Sequence, residues 1–224
     1  MTYTLQYGQI WPFLPRLLDG ALVSLQIAVL AFAGGLLIGT VCAAVKSFGP
    51  RWLARIVGLY VVFFTNTPQL VQIYFLYFAL PDMGILLSSF AAVVIGMTLN
   101  AGAYLTEIQR AGFESRRASE MEAAIVMGFS RLQQIRYVIL PHVAKVLFPP
   151  LSNHFIIVTL GTSMAAVFGV EELTGQAFNI NSTTFRSIEV FTVTAGIYVA
   201  LTLVASVLLA IFGRVMFRVR SEIL

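Results

Sequence analysis

The chain has 224 residues, of which 58% are hydrophobic and only 11% charged, against about 25% charged in an average soluble domain. That balance excludes an ordinary soluble enzyme and describes a membrane protein. The net charge of +4 does not indicate a nucleic-acid partner, because in a polytopic chain basic residues set orientation.

Residues 1–20 hold Tyr3, Tyr7, Trp11 and Phe13 with Pro12 and Pro15, a composition suited to a lead-in lying along the outer membrane interface. The first 15 residues contain no Lys or Arg, so no cleavable signal peptide is expected. Five stretches free of charge follow: Ala21–Ala44, Ile56–Leu80, Ile85–Thr106, Val146–Val170 and Val190–Gly213. Each exceeds the ~20 residues needed to cross a hydrocarbon core. The expectation is an all-α polytopic membrane protein with five transmembrane helices in a single domain over 1–224. Residues 107–145 form its inner loop and 171–189 its outer loop.

Lys46, Arg51 and Arg55 lie between spans 1 and 2, and Arg110, Arg116, Arg117, Arg131, Arg136 and Lys145 between spans 3 and 4. Arg214, Arg218 and Arg220 end the chain on the same side, leaving only Arg16 and Arg186 opposite. Basic residues accumulate on the cytoplasmic side, so the N-terminus is placed outside and the C-terminus inside. The single cysteine, Cys42, falls within span 1 and reads as a small packing residue.

In span 1, Gly35 and Gly39 have the small-x-x-x-small spacing that lets helices approach closely. Span 2 contains Thr65-Asn66-Thr67-Pro68-Gln69-Leu70-Val71-Gln72. Pro68 lacks a backbone donor and frees the carbonyl of residue 64, so the helix should kink or open there. Asn66 lies about 15 Å in from Ile56, near the bilayer midplane. Polar groups at that depth need partners, either across a kinked helix or along a wet substrate path. Asn66, Thr67, Pro68, Gln69 and Gln72 are candidates for such a path, with Asn100 and Tyr104 of span 3 and Thr162 and Ser163 of span 4. His154 has no second metal-ligating residue at helical spacing and reads as a packed or interface histidine. No metal site is expected. The outer loop, Glu171 to Glu189, is acidic and long enough for a short helix; it is either solvated or complementary in charge to an outside partner.

The inner loop is the polar island of the chain. Ser119-Glu120-Met121-Glu122 and Ser130-Arg131-Leu132-Gln133 each fit a capping box. Gly128 between them is placed to end the first helix in a left-handed turn, and Pro141 to end the second by pushing residue 140 out of helical angles. Two short helices joined at Gly128 on the watery side suit docking to another protein, or alternatively resting on the lipid surface.

Glu122-Ala123-Ala124, Gly128 and Val138-Ile139-Leu140-Pro141 resemble the E-A-A-x3-G-x9-I-x-L-P motif of the membrane subunits of bacterial ABC importers, with Val138 at the isoleucine position. Gly102-Ala103-Tyr104 with Glu107, Arg110 and Gly112 resembles the polar amino-acid permeases of histidine, glutamine, glutamate and arginine type. So do Pro149-Pro150-Leu151-Ser152-Asn153 with Phe155, and Asn66-Thr67-Pro68 with Leu70-Val71-Gln72. Two departures remove charge from the presumed path. Thr65 stands where the family has arginine, followed by Gln69 for leucine, and Leu160-Gly161-Thr162-Ser163 stands where it often has K-D-T-S or K-N-T-S.

The resemblance implies a multi-pass permease of the bacterial cytoplasmic (inner) membrane, importing polar amino acids. Its partners would be a cytoplasmic ABC ATPase dimer, a second permease copy or paralogue, an extracytoplasmic solute-binding protein and membrane lipid. The chain has no G-x-x-x-x-G-K-[ST] loop and so binds no ATP or Mg itself; those belong to the ATPase subunits. Glu122, Ala123, Ala124, Gly128, Val138, Leu140 and Pro141 are the residues implied in coupling to the ATPase. The competing class is an ion-gradient-driven secondary amino-acid transporter, which would ordinarily carry intramembrane carboxylates or inverted repeats. No acid lies within the five charge-free stretches.

Overall fold

The computed structural model of the chain describes residues 4–115 and 118–217, with the side chains of 118–121 and 217 outside that description. Tyr3, Arg116, Arg117, Arg218 and Arg220, and the side chains of Ser119, Glu120 and Met121, therefore lie outside the described residues.

Helix α1, Leu14–Phe48, carries Pro15 in its first turn, where a missing backbone donor costs nothing. It takes in residues 14–20, and two short 3₁₀ turns, Tyr7–Gln9 and Trp11–Phe13, precede it. Extended Pro50 leads into α2, Arg51–Asn66, and extended Thr67 and Pro68 separate it from α3, Gln69–Tyr74. The next long helix is α4, Ser89–Glu114, N-capped by the Ser88 hydroxyl. Four helical runs among the described residues are long and apolar enough to cross a membrane. The bent pair Arg51–Asn66 and Gln69–Met83, meeting at 106° and counted as one broken span, makes up to 5. Span 2 is thus sharply broken at Pro68.

Helices α1 and α4 form the spine. A Cβ added to Gly35 would lie 2.9 Å from Ala101 Cβ, and one on Gly39 2.8 Å from Leu105 Cβ. The small-x-x-x-small spacing therefore marks a backbone contact that no larger residue fits. Gln109 seals the pair, its Nε2 donating to Leu36 O at 3.2 Å while its Oε1 accepts from Thr40 Oγ1 at 2.6 Å. Ile27, Ala28 and Ala31 meet Val93, Met97 and Ala101 in the main core. Lipid is as apolar as these side chains, so close packing rather than water exclusion holds them.

In the 107–145 loop, α5, Ala118–Val126, includes Ser119, which places Ser119 inside the helix and not at its N-cap. Gly128 has φ +77°; its N–H donates to Ile125 O at 2.9 Å and that of Phe129 to Ala124 O at 3.0 Å. These are the two hydrogen bonds of a Schellman stop, as the glycine predicted. The second capping box is complete: Ser130 and Gln133 exchange side-chain and backbone bonds at the start of α6, Arg131–Gln134.

The expected stop at Pro141 is corrected. Leu140 is helical (φ −61°, ψ −45°), and α6 passes through a π turn, Ile135–Ile139, into α7, Leu140–Gly161. Leu140 N–H donates to Ile135 O. The wider turn makes room for the proline ring against the preceding carbonyls. The second arm of the predicted hairpin is therefore the N-terminal end of a helical run, Arg131–Phe168.

The short helix expected in the 171–189 loop is present as α8, Leu173–Thr184, whose Leu173, Ala177 and Ile180 pack with Ile10, Leu17 and Ala21. Glu171 is exposed, but the expectation of a solvated or outward-facing acid is corrected at two positions. Glu172 and Glu189 are both 0% exposed. Glu172 Oε2 accepts from Ser24 Oγ and Tyr198 OH, each at 2.9 Å, and Oε1 from Gly175 N at 2.9 Å. One carboxylate thus joins α1, α8 and the last helix, α9, Ser187–Phe217.

Candidate functional site

The break in span 2 gathers a second buried polar cluster. A helix ending inside a membrane leaves its last carbonyls without intrahelical donors, a cost no lipid can relieve. Here side chains supply them. Thr67 Oγ1 donates to Phe63 O at 2.7 Å. Phe64 O, which Pro68 cannot reach, accepts from Gln72 Nε2 at 2.9 Å and Asn100 Nδ2 at 3.1 Å. Tyr104 OH donates to Thr65 O at 3.4 Å. Asn100 Nδ2 also bonds Gln72 Oε1 at 3.2 Å, tying α3 to α4.

Beside the break lies a cleft of about 690 Å³, lined by Thr65, Asn66, Thr67, Pro68, Gln69, Asn100, Ala101, Tyr104, His154, Ile157 and Val158. Among the described residues no Asp, Glu, Lys or Arg lines it. Six of the sequence-predicted residues thus meet here: Asn66, Thr67, Pro68, Gln69, Asn100 and Tyr104. Three do not. Gln72 is buried behind the break, and Thr162 and Ser163 sit on a 3₁₀ segment, Thr162–Phe168, with their hydroxyls on Thr159 O and Leu160 O at 2.7 and 3.0 Å. Asn66 is exposed, and its amide reaches only Val62 O and Thr65 Oγ1 of its own helix. Gln69 takes no part in bracing the break.

Sequence reasoning missed His154 as a lining residue. Its ring packs against Tyr104 and Phe32, centroids 5.7 and 6.5 Å apart. The signal was its helical register with Ile157 and Val158, legible only once the cleft shows residues of α2 and α7 lining the same space.

On α5, Glu122 and Ala123 are exposed and Ala124 is buried, 1% exposed. Val126 and Met127 stand out at 86% and 65% exposure, followed by Leu132 at 74%. Val138 and Leu140 lie on the π turn and the start of α7. Nearby, Glu107 pairs with Lys46 and with Arg110 Nε at 2.9 Å, and Arg110 Nη1 reaches Glu114 at 2.8 Å. This fixes the C-terminal ends of α1 and α4. Among the described residues no group of three or more His, Cys, Asp or Glu is placed to hold a metal ion.

The family model for the inner membrane component of binding-protein-dependent transport systems matches residues 35–218. The chain belongs to that family. Among its relatives is the glutamine transport system permease protein GlnP of Escherichia coli strain K12, 40% identical over 208 residues, 91% of this chain and 94% of that protein. Another is the probable glutamine ABC transporter permease protein GlnM of Bacillus subtilis strain 168, at 33% over 85% and 88%. The octopine transport system permease protein OccM of Rhizobium radiobacter is 31% identical over 88% and 84%. A solved amino acid ABC transporter with histidines matches at TM-score 0.87 and 32% identity, covering 95% of this chain and 99% of that one. The inward-facing MetNI methionine ABC transporter, at TM-score 0.75 and 18% identity, shares the fold.

As a member of this inner-membrane permease family, the chain is a transport component and not an enzyme. ATPase and solute-binding subunits are the family's general partners. The E-A-A-type stretch and the cleft both fall inside the matched region.

Proposed function

We propose that the chain is the membrane-spanning permease of an ATP-driven importer and passes polar amino acids, glutamine foremost, through the cleft beside Pro68. The observation that carries this reading is a division of labour among the polar groups of span 2. Thr67, Gln72 and Asn100 satisfy the broken helix, while the Asn66 amide, whose Nδ2 bonds only within its own helix, and the Gln69 amide line the cleft without bracing the break. Amides at membrane depth that the break itself does not need support a path for a transported solute. The names of the relatives support the same substrate class.

Coupling is assigned to the inner turn. The exposed Glu122 and Ala123 contact the ATPase, the buried Ala124 lets α5 lie close to its support, and Gly128 sets the angle. Val138, Leu140 and Pro141 transmit movement, because the π turn joins them without a gap to α7 and hence to the cleft. The N-terminus lies outside and the C-terminus in the cytoplasm, and a second permease, a copy or a paralogue, completes the pair. An extracytoplasmic binding protein delivers the amino acid.

Uptake of labelled L-glutamine into proteoliposomes holding the assembled transporter tests the cleft. Asn66→Leu is expected to lower uptake about tenfold, the effect of losing one well-placed hydrogen bond, with the ATPase still bound. Uptake at the wild-type rate refutes the path, and loss of assembly would return Asn66 to a structural role.

A further inference from the structure

Glu172 is buried where α1, α8 and α9 meet, and among the described residues it has no ion pair. A buried carboxylate without a cation is costly while it is charged. Its Oε2 accepts from Ser24 Oγ and Tyr198 OH, and its Oε1 from Gly175 N, each at 2.9 Å. Ser24 has one hydroxyl hydrogen and two acceptors in reach, Glu172 Oε2 at 2.9 Å and Gly20 O at 3.2 Å. The serine oxygen accepts from Leu173 N at 3.2 Å and has a second lone pair to offer. With Glu172 charged, Ser24 donates to it. With Glu172 protonated, the acid donates to Ser24 Oγ and the serine hydrogen turns to Gly20 O. Both charge states are thus hydrogen-bonded, and a single hydroxyl rotation separates them.

Helix α8 is also a separable piece. Its Leu173, Ala177 and Ile180 belong to an apolar cluster with Ile10, Leu17 and Val190, outside the main core. Left-handed residues bend the chain on either side of it, Gly169 at φ +76° and Phe185 at φ +54°, so no continuous helix joins α8 to α7 or α9. Glu172 is the N-cap of α8, and through Ser24 and Tyr198 its carboxyl group ties that end to both neighbours.

We propose that Glu172 is a proton-operated clasp. With the proton bound it holds α8 against α1 and α9, and on ionising it lets α8 loosen, so pH on the side bearing the 171–189 loop sets how closed that end of the bundle is. Burial raises the Glu172 pKa above the ordinary carboxylate range, against the hydrogen bonds that lower it. The clasp is therefore at full strength below the ordinary carboxylate range and loses strength as pH rises through the raised value. Of the charged and titratable groups at this end of the packed elements, Tyr198 of α9 bonds Glu172 directly. Arg16 and Asp19 of α1 are exposed. Glu171 is exposed beside the Gln176 and Asn179 amides, and Glu189 of α9 is taken up by Gln6 N and Arg186. The Thr162–Phe168 segment carries no such group.

The test is hydrogen–deuterium exchange of the assembled permease–ATPase complex in lipid nanodiscs, read as protection factors of the α8 amides against those of α4. In wild type, α8 protection is expected to fall about tenfold between pH about 5 and about 8 while α4 keeps its own. Glu172→Gln fixes an uncharged group whose amide donates to Ser24, and should flatten that fall to within about twofold. Tyr198→Phe takes one donor from the carboxylate and should deepen the fall about threefold. Equal pH profiles in wild type and Glu172→Gln overturn the inference. So does a loss of protection shared equally by α4 and α8, which is a change of overall stability and not a clasp. If Glu172→Gln does not assemble, Tyr198→Phe decides alone, and a fall no deeper than that of wild type overturns the proposal.

Discussion

Gln69 and Gly161 each depart from the motif that the surrounding residues follow, and they face one another: a Cβ on Gly161 would lie 3.7 Å from Gln69 Oε1. Where the resembled family carries an acid or amide at 161 and leucine at 69, this chain has moved the polar group across the gap from α7 to α3. Residues in contact couple energetically. Gly161→Asn alone should crowd Gln69 and lower uptake several-fold, whereas the double variant with Gln69→Leu should recover most of it. Additive losses in the double-mutant cycle would show the two positions to be independent.

Glu172 makes a separate prediction about pH. Burial raises its pKa above the ordinary carboxylate range, opposed by hydrogen bonds from the backbone of Thr174 and Gly175 and from Ser24 and Tyr198. With a folded-state pKa above the unfolded one, the folded chain binds this proton more tightly. The charged form then costs stability, a cost absent below the ordinary carboxylate range and growing as pH rises through the raised value. The melting temperature of wild type should therefore gain on that of Glu172→Gln as pH falls from about 8 to about 5. Parallel pH profiles would contradict it.

At the scale of elements, the break in span 2 was legible in part. Pro68 announced that a carbonyl would be freed, and the residue numbers of Asn66, Gln69 and Gln72 announced amides at membrane depth. Which amide would serve the break was not legible, because Asn100 comes from another helix and the 106° bend decides what it meets. Gln72→Leu should leave Phe64 O with half its donors and loosen α3 from α4, costing about 1–3 kcal/mol. Thermal unfolding of the solubilised chain measures this, and an unchanged midpoint would mean that Asn100 alone suffices. Pro141 misled for a related reason. Its effect on a regular α-helix is well defined, but a π turn absorbs it, and nothing in Ile135–Ile139 marks a π turn in advance. Gly128 and Ser130 were read correctly because a left-handed glycine and a capping box are local features, independent of the rest of the fold.

For the whole molecule, five charge-free stretches and the family motifs carried the architecture, since length and apolarity alone specify a membrane span. The burial of Glu172 and Glu189 was not legible, because acids next to a span look the same in sequence whether they face water or a packed helix. What the structure adds is continuity. From the exposed Val126 and Met127, through Gly128, the π turn and α7, a helical path runs to His154 and the cleft. The most apolar part of α9 is 0% buried, which leaves that helix uncovered and outside this path.

The central claim is that movement at the inner turn reaches the cleft, and Gly128 is where it is tested most directly. At φ +77° a β-branched residue is strained by roughly 1–2 kcal/mol, although open space surrounds the position and no neighbour lies within 4 Å of an added Cβ. The measurement is ATP-dependent uptake of labelled L-glutamine by proteoliposomes of the assembled transporter carrying Gly128→Val. Uptake is predicted to fall about tenfold while the permease stays inserted and the ATPase co-purifies. Wild-type uptake in that variant would contradict the account.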